Sequence, residues 1–209
     1  MADKQPVAEL IATTFETYDA PTPWAEARRL LHDAHDTYWL ATTRPSGAPH
    51  VRPVLGVWVD GRLHFVSGPT TRKTRHLASN PQVTITVSVD RIDLVVEGKA
   101  ERVHDAARLQ LVADAYATKY SWPATARDGA FHDTEGAPTA GPPPYEVYQV
   151  TPTKVLGFPT GESFSPTRWA PPMNPTQQAA RPLPASELIP ACQRLRALIV
   201  SHRGCTAAT

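Results

Sequence analysis

The chain has 209 residues, 41% of them hydrophobic and 20% charged, with a formal net charge of +1. That length buries a core without disulfides or a structural metal, and the composition is that of a globular protein. The near-neutral balance supplies no global field for nucleic acid or membrane surfaces, so any anion site must be local. Cys192 and Cys205 match no zinc spacing and make no disulfide framework; so few thiols suit a reducing compartment. The opening MADKQPVAELIATTF lacks the apolar core of a signal peptide, and no run reaches the length of a membrane helix. A cytoplasmic protein without nucleic-acid or membrane partners is expected.

Residues 1–21 read as an N-terminal extension. Thr22 reads as an N-cap, with Pro23 at the first helical position. The following PWAEARRLLHDAH places Trp24, Ala27, Leu31 and Ala34 on one face of an amphipathic helix. A β-branched and aromatic strand is expected at 37–44, ended by the turn PSGAP. Residues 50–59 alternate as one strand: Val51, Pro53, Leu55, Val57 and Val59 on one face, His50, Arg52, Val54, Gly56 and Trp58 on the other. Asp60-Gly61 is a hairpin signal before the strand RLHFVSG.

Thr71 then caps a short basic helix carrying Arg72, Lys73 and Arg75. Strands are expected at 82–89 and 92–103, a helix at 106–120 with Leu109, Val112, Ala113 and Tyr116 on one stripe, and closing strands at 145–158. Residues 121–145, with Gly129, Gly136, Gly141 and Pro142-Pro143-Pro144, read as a long loop. The folded domain is expected over 22–169. A Pro/Arg-rich tail is expected over 170–209, where ASELIPACQRLRALIV could make one helix, broken or kinked by Pro190. Short strands joined by tight turns, with few helices, imply a mainly β fold: a Greek-key-like barrel with flanking helices rather than a doubly wound parallel sheet.

Chemistry concentrates in residues 50–81. Arg52 interrupts an apolar strand, and Ser67, Gly68, Thr70 and Thr71 lead into a helix that opens with two cations. Orphan amides of a helix N-terminus beside cationic side chains suit a phosphate group. A solvated basic turn is the competing reading of the same pattern. His32 and His35 stand three apart on a helix without a third ligand at useful spacing, so they read as a surface pair and no metal site is expected. His50 and His64 flank the hairpin, either lining a pocket or partly exposed. The turn at Ser46 lacks the flanking glycines of a nucleophile elbow.

The run from Arg52 to Pro81 resembles the pyridoxamine 5′-phosphate oxidase-like superfamily of flavin-binding split barrels. Arg52, Val54 and Leu55 match its R-x-V-L-L-K strand, Thr71-Arg72-Lys73 its phosphate clamp, Asn80-Pro81 its close and Gly98-Lys99-Ala100 its next strand. The likeness covers residues 24–169 and implies a split β-barrel. Val57 stands where the vitamin B6 oxidases have Lys, Asp93 where they have Gln, and their C-terminal Trp/Arg/His signature is missing, which points away from pyridoxamine phosphate oxidation. YWLATTRPSGAPHVRPV and FPTGESFSPTRW look more like the flavin/deazaflavin oxidoreductase branch. The resemblance implies a homodimer with F420, narrowly favoured, or FMN at the subunit interface, and hydride transfer to or from a small organic substrate. The cofactor carries that chemistry, so no catalytic side chain is expected. Arg52, Thr71, Arg72 and Lys73 would hold the phosphate, with Arg75 a further cation and Ser67 beside the phosphate or ribityl chain. The strand at Pro53, Val54 and Leu55 would face the ring, and the long loop or Arg168-Trp169 could complete the site. The rival readings are a non-enzymatic flavin- or haem-binding barrel and a barrel that has lost its cofactor.

Overall fold

In the computed structural model, residues 5–11, 18–133 and 141–170 are described, all within the compact unit Met1–Pro172. The expectations for 134–140 and 171–209 lie outside them. In chain order the elements are β1 (Val7–Leu10), α1 (Trp24–Asp33), β2 (Tyr38–Thr43), β3 (Pro49–Val54), β4 (Gly56–Val59) and β5 (Arg62–Ser67). They continue as α2 (Arg72–Ser79), β6 (Gln82–Val89), β7 (Ile92–Arg102), α3 (Ala106–Tyr120), β8 (Thr125–Arg127), β9 (Ala130–His132), β10 (Glu146–Pro159) and β11 (Thr167–Ala170).

The main sheet is antiparallel and runs β1-β11-β10-β7-β6-β2-β3, with β5 also on β10 and β4 on β5. β3 and β4 are neighbours in sequence yet end the two arms of the sheet, one on β2 and the other on β5. A barrel opened between them is a split barrel with flanking helices, as expected. The tight turns follow the residues: Asp60-Gly61, Asp90-Arg91 and Asp128-Gly129 all take positive φ at both positions, the type I′ geometry that matches strand twist.

Two apolar clusters form the core. One fills the barrel with Tyr38, Leu40, Phe65, Ile85, Leu94, Val150 and Trp169 beneath Leu30 and Leu31 of α1. The other seats Leu109, Val112, Ala113 and Tyr116 of α3 on Val57, Phe131, Tyr145 and Val147. Trp24 of α1 bridges to Trp58 and Trp169, with ring centroids 6.2 and 6.1 Å away.

Four expectations are corrected. The strand over 50–59 breaks at Leu55 because its halves pair with different partners; β3 is an edge with Val51, Arg52 and Pro53 exposed, whereas Gly56, Val57 and Trp58 are all buried. Pro23, not Thr22, is the N-cap of α1: its carbonyl accepts from Glu26 N–H, while the Thr22 hydroxyl donates to the Ser165 carbonyl at 3.2 Å. Within 121–145 a β8–β9 hairpin packs against α3, with Phe131 bridged to Tyr145. His50 and His64 are buried rather than partly exposed. In addition, β1, inside the expected extension, pairs with β11.

Candidate functional site

The site is built where β5 ends. Ser67 closes the strand, Thr71 N–H donates to the Gly68 carbonyl at 3.1 Å, and α2 begins at Arg72. Thr71 caps the helix by accepting from Thr74 N–H at 3.4 Å. Three hydroxyls lock this turn: Ser67 Oγ lies 2.8 Å from Thr71 Oγ1 and 2.7 Å from Thr74 Oγ1, and Thr74 donates to the Gly68 carbonyl at 2.9 Å. Ser67 is fully buried. Its hydroxyl therefore shapes the loop from within, fixing the direction in which the first amides of α2 point.

Above this turn the charges are of one sign. The first turn of α2 contains no acid. Burial, and then the Arg52 guanidinium of β3, lower the pKa of the half-buried Lys73 ammonium. Burial and then Arg52, His76, Arg44 and Arg72 hold the His50 imidazole below its ordinary value, and burial followed by Arg44, Arg75 and Arg72 does the same to His76. Among the described residues Arg44, Arg52, Arg72, Lys73 and Arg75 form no ion pair; Arg52 donates only to the Val51 carbonyl and Arg75 to the Thr70 carbonyl. Uncompensated cations beside a helix N-terminus are suited to an oxyanion, whose charge would relieve their mutual repulsion.

The fold brings Arg52 to Lys73, and Ser67 to Thr71. Pro53 and Leu55 are exposed and Val54 half-buried on the adjoining edge strand. Helix α3 pins the end of that strand: Tyr116 Oη donates to the Leu55 carbonyl at 2.9 Å, Tyr120 Oη to the Gly56 carbonyl at 2.8 Å and Lys119 Nζ to the same carbonyl at 3.1 Å. Trp169 is in the barrel core, donating Nε1–H to the Thr22 carbonyl at 2.9 Å, and Arg168 pairs with Glu9 at 3.6 Å. Neither has a contact with the clamp residues. Sequence reasoning missed Thr42, Arg44 and His76. His76 was legible as the residue one helical turn beyond Arg72; Thr42 lies in β2 and Arg44 just after it, and the pairing of that strand places them there.

The pyridoxamine 5′-phosphate oxidase profile matches residues 24–158. The chain belongs to the pyridoxamine 5′-phosphate oxidase family. No curated protein matches it. Solved structures of this fold include a conserved hypothetical protein of Mycobacterium tuberculosis, 19% identical over 70% of this chain and 91% of that one, with a TM-score of 0.54. A pyridoxamine 5′-phosphate oxidase-related, FMN-binding protein of Nostoc punctiforme is 20% identical over 75% of this chain and 93% of that one, with a TM-score of 0.50. A haem-binding protein of Mycobacterium smegmatis is 16% identical over 71% of this chain and 58% of that one, with a TM-score of 0.53. Within the family's matched span lie all the cations of the α2 cluster. No helix among the described residues is long and apolar enough to cross a membrane.

Proposed function

We propose that the chain is a cytoplasmic oxidoreductase that binds F420, in preference to FMN, and acts on a small organic substrate. The observation that carries this reading is the start of α2, where the Arg52 guanidinium of β3 acts on Lys73, Arg72 stands next to Lys73 in the same first turn, and that turn holds no acid. A phosphate there takes charge-assisted bonds from the three cations and from the first amides of α2. The cofactor, when bound, supplies the hydride chemistry.

The protein's part is to hold and to exclude. Thr71 fixes the helix start and Ser67 holds Thr71 and Thr74 from behind. Val54 and Leu55 offer backbone and apolar surface for a ring, on an edge strand that α3 keeps from shifting. Lys73, its ammonium already depressed by burial, regains its proton affinity when an anion arrives. Val57 is buried under α3, so the position occupied by Lys in vitamin B6 oxidases is apolar and turned inward here, which argues against pyridoxamine phosphate as substrate.

A homodimer completes the reading. Trp39 and Val51 are 48% and 46% exposed on the outer face of β2 and β3, where Trp39 pairs with Pro53 and Ala41 with Val51. Such a face suits a second copy of the chain, which would bring its own loops over Arg52. Fluorescence titration with F420 and with FMN tests the proposal. Micromolar binding of either supports the cofactor reading, and turnover of reduced cofactor separates an enzyme from a carrier. Absence of binding by both rejects it.

A further inference from the structure

His50 is 4% exposed, and among the described residues neither of its ring nitrogens has a hydrogen-bond partner. A buried imidazole left so in a folded protein calls for a missing partner. Its neighbour narrows the identity of that partner. The His50 and His76 rings meet edge to face, centroids 4.9 Å apart at 86°, a geometry that makes no hydrogen bond between them. His76 Nδ1 lies 3.0 Å from Thr42 Oγ1, whose own proton goes to the His50 carbonyl at 3.3 Å. In the tautomer that satisfies both contacts Nδ1 donates, which leaves Nε2 of the neutral ring as the nitrogen that can take a further proton.

The groups that face this pair come from every element around it. Arg44 follows β2, Arg52 shares β3 with His50, and Arg72 and Arg75 share α2 with His76. All are cations and none is an acid. A protonated His50 would repel them, and a neutral one leaves its nitrogens unsatisfied; one oxyanion relieves both. The grouping is not simply the Lys73 clamp again. Arg52 is the charge that acts on Lys73, whereas Arg44, Arg75 and Arg72 act on His76. Arg52, which acts on both Lys73 and His50, joins the two groups.

We infer that His50 and His76, with Arg44 beside them, form a proton-linked oxyanion subsite adjoining the clamp, for a phosphate or carboxylate group of the bound molecule. The inference rests on the cofactor reading for the source of that group, but not for the subsite itself. Binding takes up protons. An anion raises the midpoints of imidazoles that start below their ordinary value, so affinity climbs as pH falls through the bound-state midpoints and levels off below the free-state ones.

The test follows the imidazole nitrogens of the full chain by 15N NMR through a pH titration, with His50→Asn and His76→Asn assigning the signals. Inorganic phosphate, FMN and F420 are each added. The expected result is a rise of about one unit in both midpoints with inorganic phosphate, reduced in Arg44→Gln, whose exposed side chain leaves the fold intact. The other two probes locate the source. A rise with FMN assigns the oxyanion to the cofactor phosphate, and a rise with F420 alone assigns it to the glutamate carboxylates of that cofactor. If neither cofactor binds but phosphate moves the midpoints, the cofactor reading falls and the subsite stands. Unmoved midpoints with all three probes overturn the inference.

Discussion

Tyr116 Oη donates to the carbonyl of Leu55 at 2.9 Å, joining the middle of α3 to the residue that separates β3 from β4. The break in the strand is thus held by a side chain some sixty positions away in sequence, and the same break sets the edge on which Arg52 stands. Tyr116→Phe keeps the ring in its apolar cluster and removes the bond. A loss of about 1–2 kcal/mol is expected, read from urea denaturation. A variant as stable as the parent would show that the break stands without α3.

The clamp makes a second prediction. Arg72→Ala combined with Lys73→Ala removes two cations that have no ion-pair partner among the described residues, so the fold gives up no salt bridge with them. Stability should hold or rise slightly as repulsion on Arg52 eases. Affinity for FMN or F420 should fall by about 2–5 kcal/mol, the scale of two charge-assisted contacts. Isothermal titration of parent and double variant checks this; equal affinities would remove Arg72 and Lys73 from the site.

Stability should also fall in mild acid. His64 is fully buried, and desolvation, followed by Arg108, lowers its pKa to about 4. In the unfolded chain the imidazole takes a proton near its ordinary value of 6.5. The unfolded state therefore binds more protons between those values, and stability present above the unfolded value is lost as pH falls towards the folded one. Going from about pH 7 to about pH 5 should cost about 2 kcal/mol through this residue, with His50 and His76 adding in the same direction. His64→Phe should flatten the slope of urea midpoints against pH; an unchanged slope would clear His64 of the effect.

Trp39→Lys with Val51→Lys tests the exposed face of β2 and β3. Both side chains stand on the outer surface and neither belongs to a core cluster, so the fold should persist. The parent is expected to sediment as a dimer, since stable interfaces bury about 800 Å² per partner and centre on large apolar groups. The charged variant should sediment as a monomer with weakened cofactor affinity. A monomeric parent at all concentrations would defeat the dimer reading.

How much of this was legible in the sequence varies with the range of the forces. Helix α3 lies over 106–120, as its apolar stripe implies, because Leu109, Val112, Ala113 and Tyr116 need only local periodicity to declare a face. The hairpin at Asp60-Gly61 likewise follows from backbone conformation within two residues. The break at Leu55 was not legible. Alternation from His50 to Val59 is that of one strand, and only the separate pairing of its halves with β2 and β5 interrupts it. At the site, Thr71, Arg72 and Lys73 carried a local capping signature. The burial of His50 against His76 depends on where β2 and β3 meet α2, and no window of sequence contains that meeting.

Strand β10 pairs with β5 through Glu146–Val150, with β7 from Tyr148 to Pro159 and with β11 through Val155–Gly157. Val147 at one end sits in the cluster under α3, while Val150 and Val155 sit in the barrel core. One continuous segment is therefore a structural member of both cores. Neither core can melt alone without tearing the strand that serves the other, so thermal denaturation of this unit should be all-or-none, seen as equal calorimetric and van't Hoff enthalpies.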